Sequence, residues 1–158
     1  MPAGEPDPFE ILRALERHGV RYVLIGAAAA RIAGAPVVIK RLEVTPALDG
    51  ANQQRLAAAL RELGARLEDA VDLVTQGAGI VHTPRGDLDL CFAPAGTGGY
   101  DDLRREASDE QLGRGLTVSV ASLRDVIRSK EAAGRDKDLA QLPLLRRTLE
   151  QIRERDRP

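Results

Sequence analysis

Four features of this chain place chemically capable residues at useful spacing. In the run Gly86-Asp87-Leu88-Asp89-Leu90, acids alternate with leucines. In an extended strand that alternation sends both carboxylates to one face and both leucines to the other. Such a pair is either a solvated strand face or a set of oxygen donors for a hard cation such as magnesium. A third acid, Glu43, follows Arg41 by two residues in an apolar run, so the two side chains share a face of the expected strand. Gly26 closes the run Tyr22-Val-Leu-Ile and opens an Ala-rich stretch at Ala27. A glycine turn before a helix lets backbone N–H groups approach a phosphate, and the same pattern also occurs as plain strand-to-helix packing. No Gly-Lys-Ser/Thr follows, so the turn is not a P-loop. Lys130, Lys137 and Asp138 read either as surface lysines and a first-turn acid of a helix or as the cationic lining of a site.

The other reactive residue types are isolated. His18 and His82 have no companions at metal-ligand spacing and read as capping or surface residues. Cys91 is the single cysteine and falls on the Asp89 side of its strand. It reads as a buried thiol, excludes an intramolecular disulfide framework and fits a reducing compartment.

Periodicity supplies the scaffold. Phe9, Ile11, Leu12 and Leu15 have helical spacing and Gly19 follows, which predicts a helix over 7–18. A strand over 20–25, a tight Ala-rich helix over 27–33 and a strand over 37–45 come next, the last stopped by Pro46. Asp49 caps a helix over 51–63 whose stripe is Leu56, Leu60 and Leu63. Pro84, Arg85 and Gly86 join strands at 80–82 and 88–92 into a hairpin. A helix over 100–107, a strand over 116–120 and helices over 122–133 and 136–155, parted by Gly134, complete the chain. The expected fold is α/β (α+β): a mixed sheet covered by helices, in one domain over 9–155 behind a flexible N-terminus over 1–8.

Composition narrows the partners. The 158 residues suffice for one core. Lys plus Arg number 23 against 24 Asp plus Glu, so no large net field selects nucleic acid or an anionic membrane. Two Phe, two Tyr and no Trp make an aromatic base-stacking platform a poor expectation. The apolar stretch 22–39 is broken by Arg31, Gly34 and Pro36, which argues against a membrane span. The N-terminus has no secretory pattern, so the expected location is the cytoplasm.

Three stretches carry a resemblance to a known family. Tyr22-Val-Leu-Ile-Gly-Ala-Ala-Ala-Ala-Arg-Ile-Ala-Gly-Ala-Pro with Lys40-Arg-Leu-Glu-Val, then Gly86-Asp-Leu-Asp-Leu, then Ser122-Leu-Arg-Asp-Val-Ile-Arg-Ser-Lys-Glu-Ala-Ala-Gly-Arg-Asp-Lys-Asp-Leu are similar to the motifs of the nucleotidyltransferases related to AbiEii and MenT-like toxins of toxin-antitoxin systems. The resemblance runs from about Phe9 to Leu149 and implies the nucleotidyltransferase fold. It puts Arg41 at the first metal-binding acid, Glu43 at the second and Asp89 at the third, with Ala27 at the second small residue of the phosphate turn. Glu43 and Asp89 are then the catalytic acids, and Glu43, Asp87 and Asp89 the candidate ligands of Mg2+ or Mn2+. Gly26, Ala27, Arg41, Lys130, Lys137 and Asp138 become the candidate nucleotide contacts.

Transfer of a nucleotidyl group from a triphosphate ordinarily uses two magnesium ions held by several carboxylates. A guanidinium cannot ligate magnesium, and two unit charges about 4 Å apart repel by about 4 kcal/mol at an effective dielectric of about 20. Arg41 could instead pair with Glu43, Asp87 or Asp89, or bind phosphate directly. The expectation is therefore impaired or lost transferase activity, a pseudoenzyme that retains NTP binding. The alternatives are an active transferase moving NMP from NTP to RNA or protein, and a non-catalytic interaction partner such as a scaffold or immunity-like partner of a genuine transferase. A cognate antitoxin or another protein is the candidate protein partner.

Overall fold

The computed structural model describes residues 5–158. Residues 1–4 of the expected flexible N-terminus lie outside the described residues, while Asp7 caps the first helix and Pro8 opens it. Along the chain the elements are α1 (Pro8–Arg17), β1 (Tyr22–Ile25), α2 (Gly26–Ile32), β2 (Leu42–Pro46), α3 (Gly50–Glu62), α4 (Leu67–Gln76), β3 (Ala78–Thr83) and β4 (Gly86–Cys91). They continue with α5 (Tyr100–Glu106), β5 (Ser108–Gln111), β6 (Thr117–Val120), α6 (Leu123–Ala133) and α7 (Asp136–Arg155).

The strands form one mixed sheet in the order β3-β4-β2-β1-β6-β5. β4 and β2 are parallel, as are β1 and β6, and the remaining neighbours are antiparallel. Leu42, Val44, Leu88 and Leu90 are buried in one continuous core with Ile11, Leu15 and Leu56 of α1 and α3. α2 packs on β1, β2 and α6, and α6 packs on α7. The expected mixed sheet under helices is therefore present, and among the described residues no helix is long and apolar enough to cross a membrane.

Local chemistry starts the helices where the sequence places caps. The Asp7 carboxylate accepts from the Phe9 and Glu10 amides at 3.0 and 3.4 Å, with Pro8 in the first helical position. Ser122 Oγ accepts from the Asp125 amide at 3.1 Å to start α6. Asn52, with 0% exposure, ties α3 to the sheet. Its side chain accepts from the Arg21 amide at 2.7 Å and donates to the Arg21 and Ala47 carbonyls at 2.9 and 2.8 Å.

Three expectations about elements need correction. The strand expected over 37–45 begins only at Leu42, because β1 ends at Ile25, opposite Glu43, and leaves residues 37–41 no ladder partner on that side. α4 occupies a stretch to which no element was assigned, although Leu67, Ala70, Val71 and Val74 stand at helical spacing in the sequence and two acids follow the first of them. β5, Ser-Asp-Glu-Gln, has no apolar residue because it is an edge strand with a largely exposed surface.

Replacing Asn52 by Ala leaves the Arg21 N–H and the Ala47 carbonyl without these buried partners. We expect a loss of about 3 kcal/mol, seen as a lower urea midpoint with an unchanged slope. A loss below about 0.5 kcal/mol, within the range of ordinary surface substitutions, would show that the Asn52 bridge does not hold this corner together.

Candidate functional site

The register of two parallel strands builds the centre of the site. Glu43 of β2 lies opposite Asp89 of β4, and Ile25 of β1 lies opposite Glu43. Partners in neighbouring strands about 4.8 Å apart share a face, so the two carboxylates stand side by side while Leu88 and Leu90 point into the core. Burial pushes the Glu43 carboxyl above its usual range and the Asp89 charge pushes it further; Lys130, Lys137 and Arg41 pull it back. Burial likewise raises Asp89, against the charges of Arg41, Lys137 and Arg135.

Gly26 makes room for this pair. It opens α2 at φ +67°, a conformation that glycine adopts at no steric cost. A Cβ there would lie 2.5 Å from Glu43 Oε2 and 2.6 Å from its carboxyl carbon. The expected phosphate turn thus has the Glu43 carboxylate directly against it, and Ala27 lies in the wall of the adjoining cleft.

That cleft, about 250 Å³, is cationic. Lys40 and Arg41 wall it from the segment before β2, and Lys130, Arg135 and Lys137 wall it from α6 and the start of α7. Asp138 is 2% exposed and accepts from Arg135 Nε at 2.7 Å, with Lys130 Nζ at 3.5 Å. Burial pulls its carboxyl upward, but Arg135 and Lys130 outweigh that and hold it below the usual range. Asp138 therefore positions two cations of the cleft from the first turn of α7. Arg135 escaped the sequence reading; its only signal was its place between Gly134 and the Lys137-Asp138 pair.

Other expectations fare differently. Arg41 is exposed, and among the described residues no ion pair joins it to Glu43, Asp87 or Asp89; its charge reaches Glu43 and Asp89 through space. Asp87 does not join the Glu43–Asp89 pair in a three-acid cluster. It sits two residues down β4 and bonds His82 Nδ1 across the hairpin at 2.8 Å. His18 contacts Glu62 at 3.2 Å at the surface. Cys91 is half-buried, and burial raises its thiol above the usual range.

The donor set fits one divalent cation better than two. Among the described residues no three His, Cys, Asp or Glu side chains group closely enough to hold a metal ion. Magnesium, however, commonly binds through one or two carboxylates together with substrate phosphates, and Glu43 with Asp89 beside a cationic cleft supplies that arrangement.

No protein-family model matches the chain, and no curated protein matches it in sequence. Solved structures do match. One is the solution structure of the antibiotic-resistance factor ANT(2'')-Ia, which reveals substrate-regulated conformation dynamics; it is 18% identical, with a TM-score of 0.60 over 89% of this chain and 81% of that one. Another is the crystal structure of ANT(2'')-Ia in complex with adenylyl-2''-tobramycin, 18% identical with a TM-score of 0.58 over 89% of this chain and 86% of that one. The chain has the nucleotidyltransferase fold. Neither of these structures is a toxin, so the likeness to AbiEii and MenT-like enzymes stands on the sequence motifs alone.

Because the folded state raises the Glu43 carboxyl, it favours the protonated form, and ionisation costs stability as pH rises from the ordinary carboxylate range through the raised value. Glu43→Gln removes that cost. At neutral pH we expect Tm to rise by about 2–4 °C, the shift that about 1 kcal/mol gives at this size. A fall in Tm would mean that the surrounding cations gain more from the charge than burial takes away.

Proposed function

We propose that this protein binds a nucleoside triphosphate in the cationic cleft and has strongly impaired nucleotidyl transfer. The observation that carries the reading is the pair Glu43–Asp89, opposed in register and bordered by Arg41, Lys130, Arg135 and Lys137. The phosphates would lie against these cations, and Glu43 with Asp89 would hold one Mg2+ or Mn2+. Bound there, the cation supplies neutralisation of phosphate charge. Arg41 stands where the resemblance puts the first acid, so the donor for a second ion is missing and a positive charge replaces it. Guanidinium matches phosphate geometry, which favours binding over transfer.

A second reading, an active transferase, draws on the retention of Glu43 and Asp89 as register partners. The toxin-like resemblance makes RNA or protein its acceptor and a cognate antitoxin its partner. The fold shared with ANT(2'')-Ia, captured with adenylyl-2''-tobramycin, adds an aminoglycoside hydroxyl to the acceptors worth screening.

Calorimetric titration with each NTP, with and without magnesium or manganese, tests the binding. We expect metal-dependent dissociation constants in the micromolar range, about −8 kcal/mol; absence of heat under every condition would rule out nucleotide binding. Arg41→Asp tests the impairment. We expect it to gain metal-dependent transfer from labelled NTP by at least about tenfold, about 1.4 kcal/mol in the barrier. A wild-type protein that already turns over at ordinary enzyme rates would establish the second reading instead.

A further inference from the structure

The segment between α2 and β2 carries an exposed apolar residue in the wall of the cationic cleft. Val38 is 74% exposed and lines the cleft together with Lys40 and Arg41. Its position is set by its neighbour. Val37 is buried, its amide donates to the Ala35 carbonyl at 2.8 Å, and its own carbonyl accepts from Arg31 at 3.4 Å. With Val37 anchored inward, Val38 is presented outward rather than left free to fold into the core. Ile39, next along, is also exposed, at 38%.

An isolated surface valine needs no explanation. Here, however, one short segment presents an apolar side chain followed by two cations to the same cavity, opposite Lys130 and Lys137. That order is complementary to a molecule with an apolar planar end and a polyanionic end. Inorganic polyphosphate would use the cations and leave Val38 wet, whereas a nucleoside triphosphate would use both.

We propose that Val38 is the nucleobase contact of the cleft: the base packs on its isopropyl group while the phosphates engage Lys40, Arg41 and the cations of α6 and α7. This rests on the nucleotide-binding reading above and adds where the nucleoside lies. The contact is apolar and carries no hydrogen bond from Val38, so it favours a base over bare phosphate without distinguishing one base edge from another.

The test compares ATP with inorganic tripolyphosphate, each with magnesium, by calorimetric titration of the full chain and of Val38→Ser and Val38→Ile. Losing most of a buried valine contact should weaken ATP binding to Val38→Ser about tenfold, while tripolyphosphate binds as to the wild type within about twofold. Val38→Ile, which keeps the apolar surface, should retain ATP binding and shows that substitution at this position leaves the cleft intact. Equal ATP affinity in wild type and Val38→Ser, or a parallel loss for both ligands, would overturn the nucleobase contact while leaving phosphate binding in place. Failure of the wild type to bind either ligand would overturn the nucleotide reading and this inference together.

Discussion

Two carboxylates held opposite one another on parallel strands, partly removed from water, require compensating charge, and this end of the molecule is arranged around that requirement. Glu43 and Asp89 cannot separate, because the β2–β4 register that opposes them also buries Leu42, Val44, Leu88 and Leu90. A slip by one residue would turn the acids inward and the leucines outward. The hydrophobic core thus pins the pair, and α6, α7 and the segment before β2 supply the cations. Burial still dominates at both groups, so the surrounding positive charge is incomplete compensation. A bound cation shared with phosphates would complete it.

Arg41 changes the sign of what this centre can do. The motif resemblance puts a metal-binding acid at that position. The guanidinium is instead one of five cations around the cleft, which improves the field for a polyanion and worsens it for a further metal ion. On the proposed reading, phosphate binding and metal-assisted transfer are separable: the first needs convergent cations, and the second a further anionic donor in the place Arg41 occupies.

Much of this was legible in the sequence, for identifiable reasons. Strict alternation marked β4, glycines and Asp, Ser or Pro marked helix ends, and the leucine stripes of α1 and α3 marked the core-facing helix sides. What alternation does not encode is register. It places Asp87 and Asp89 on one face without saying that Asp89 meets Glu43 whereas Asp87 meets His82. The hairpin held a clue to the second pairing, since a turn closed between Thr83 and Gly86 sets His82 opposite Asp87. β5 was not legible because it is an edge strand with nothing to bury, whereas α4 was legible in the i, i+3, i+4, i+7 spacing of Leu67, Ala70, Val71 and Val74 and was overlooked. Arg135 was hidden because its role depends on a contact with Asp138, not on its own type or spacing.

The stretch from Lys130 to Asp138 is held together as one unit by its geometry. Gly134 takes φ +63°, a left-handed cap that ends α6 and turns the chain at once into α7. That single residue brings the last turn of α6, with Lys130, against the first turn of α7, with Asp138 and Lys137, and Arg135 lies in the turn itself. The buried Asp138 carboxylate then bonds cations from both sides of the turn. Removing an acid buried between two cations leaves their mutual repulsion uncompensated, so the spacing Lys-x4-Arg-x-Lys-Asp cannot drift without loosening the cleft wall. The motif is one electrostatic unit folded around a glycine, and it aims positive charge at the carboxylate pair that the sheet has already fixed in place.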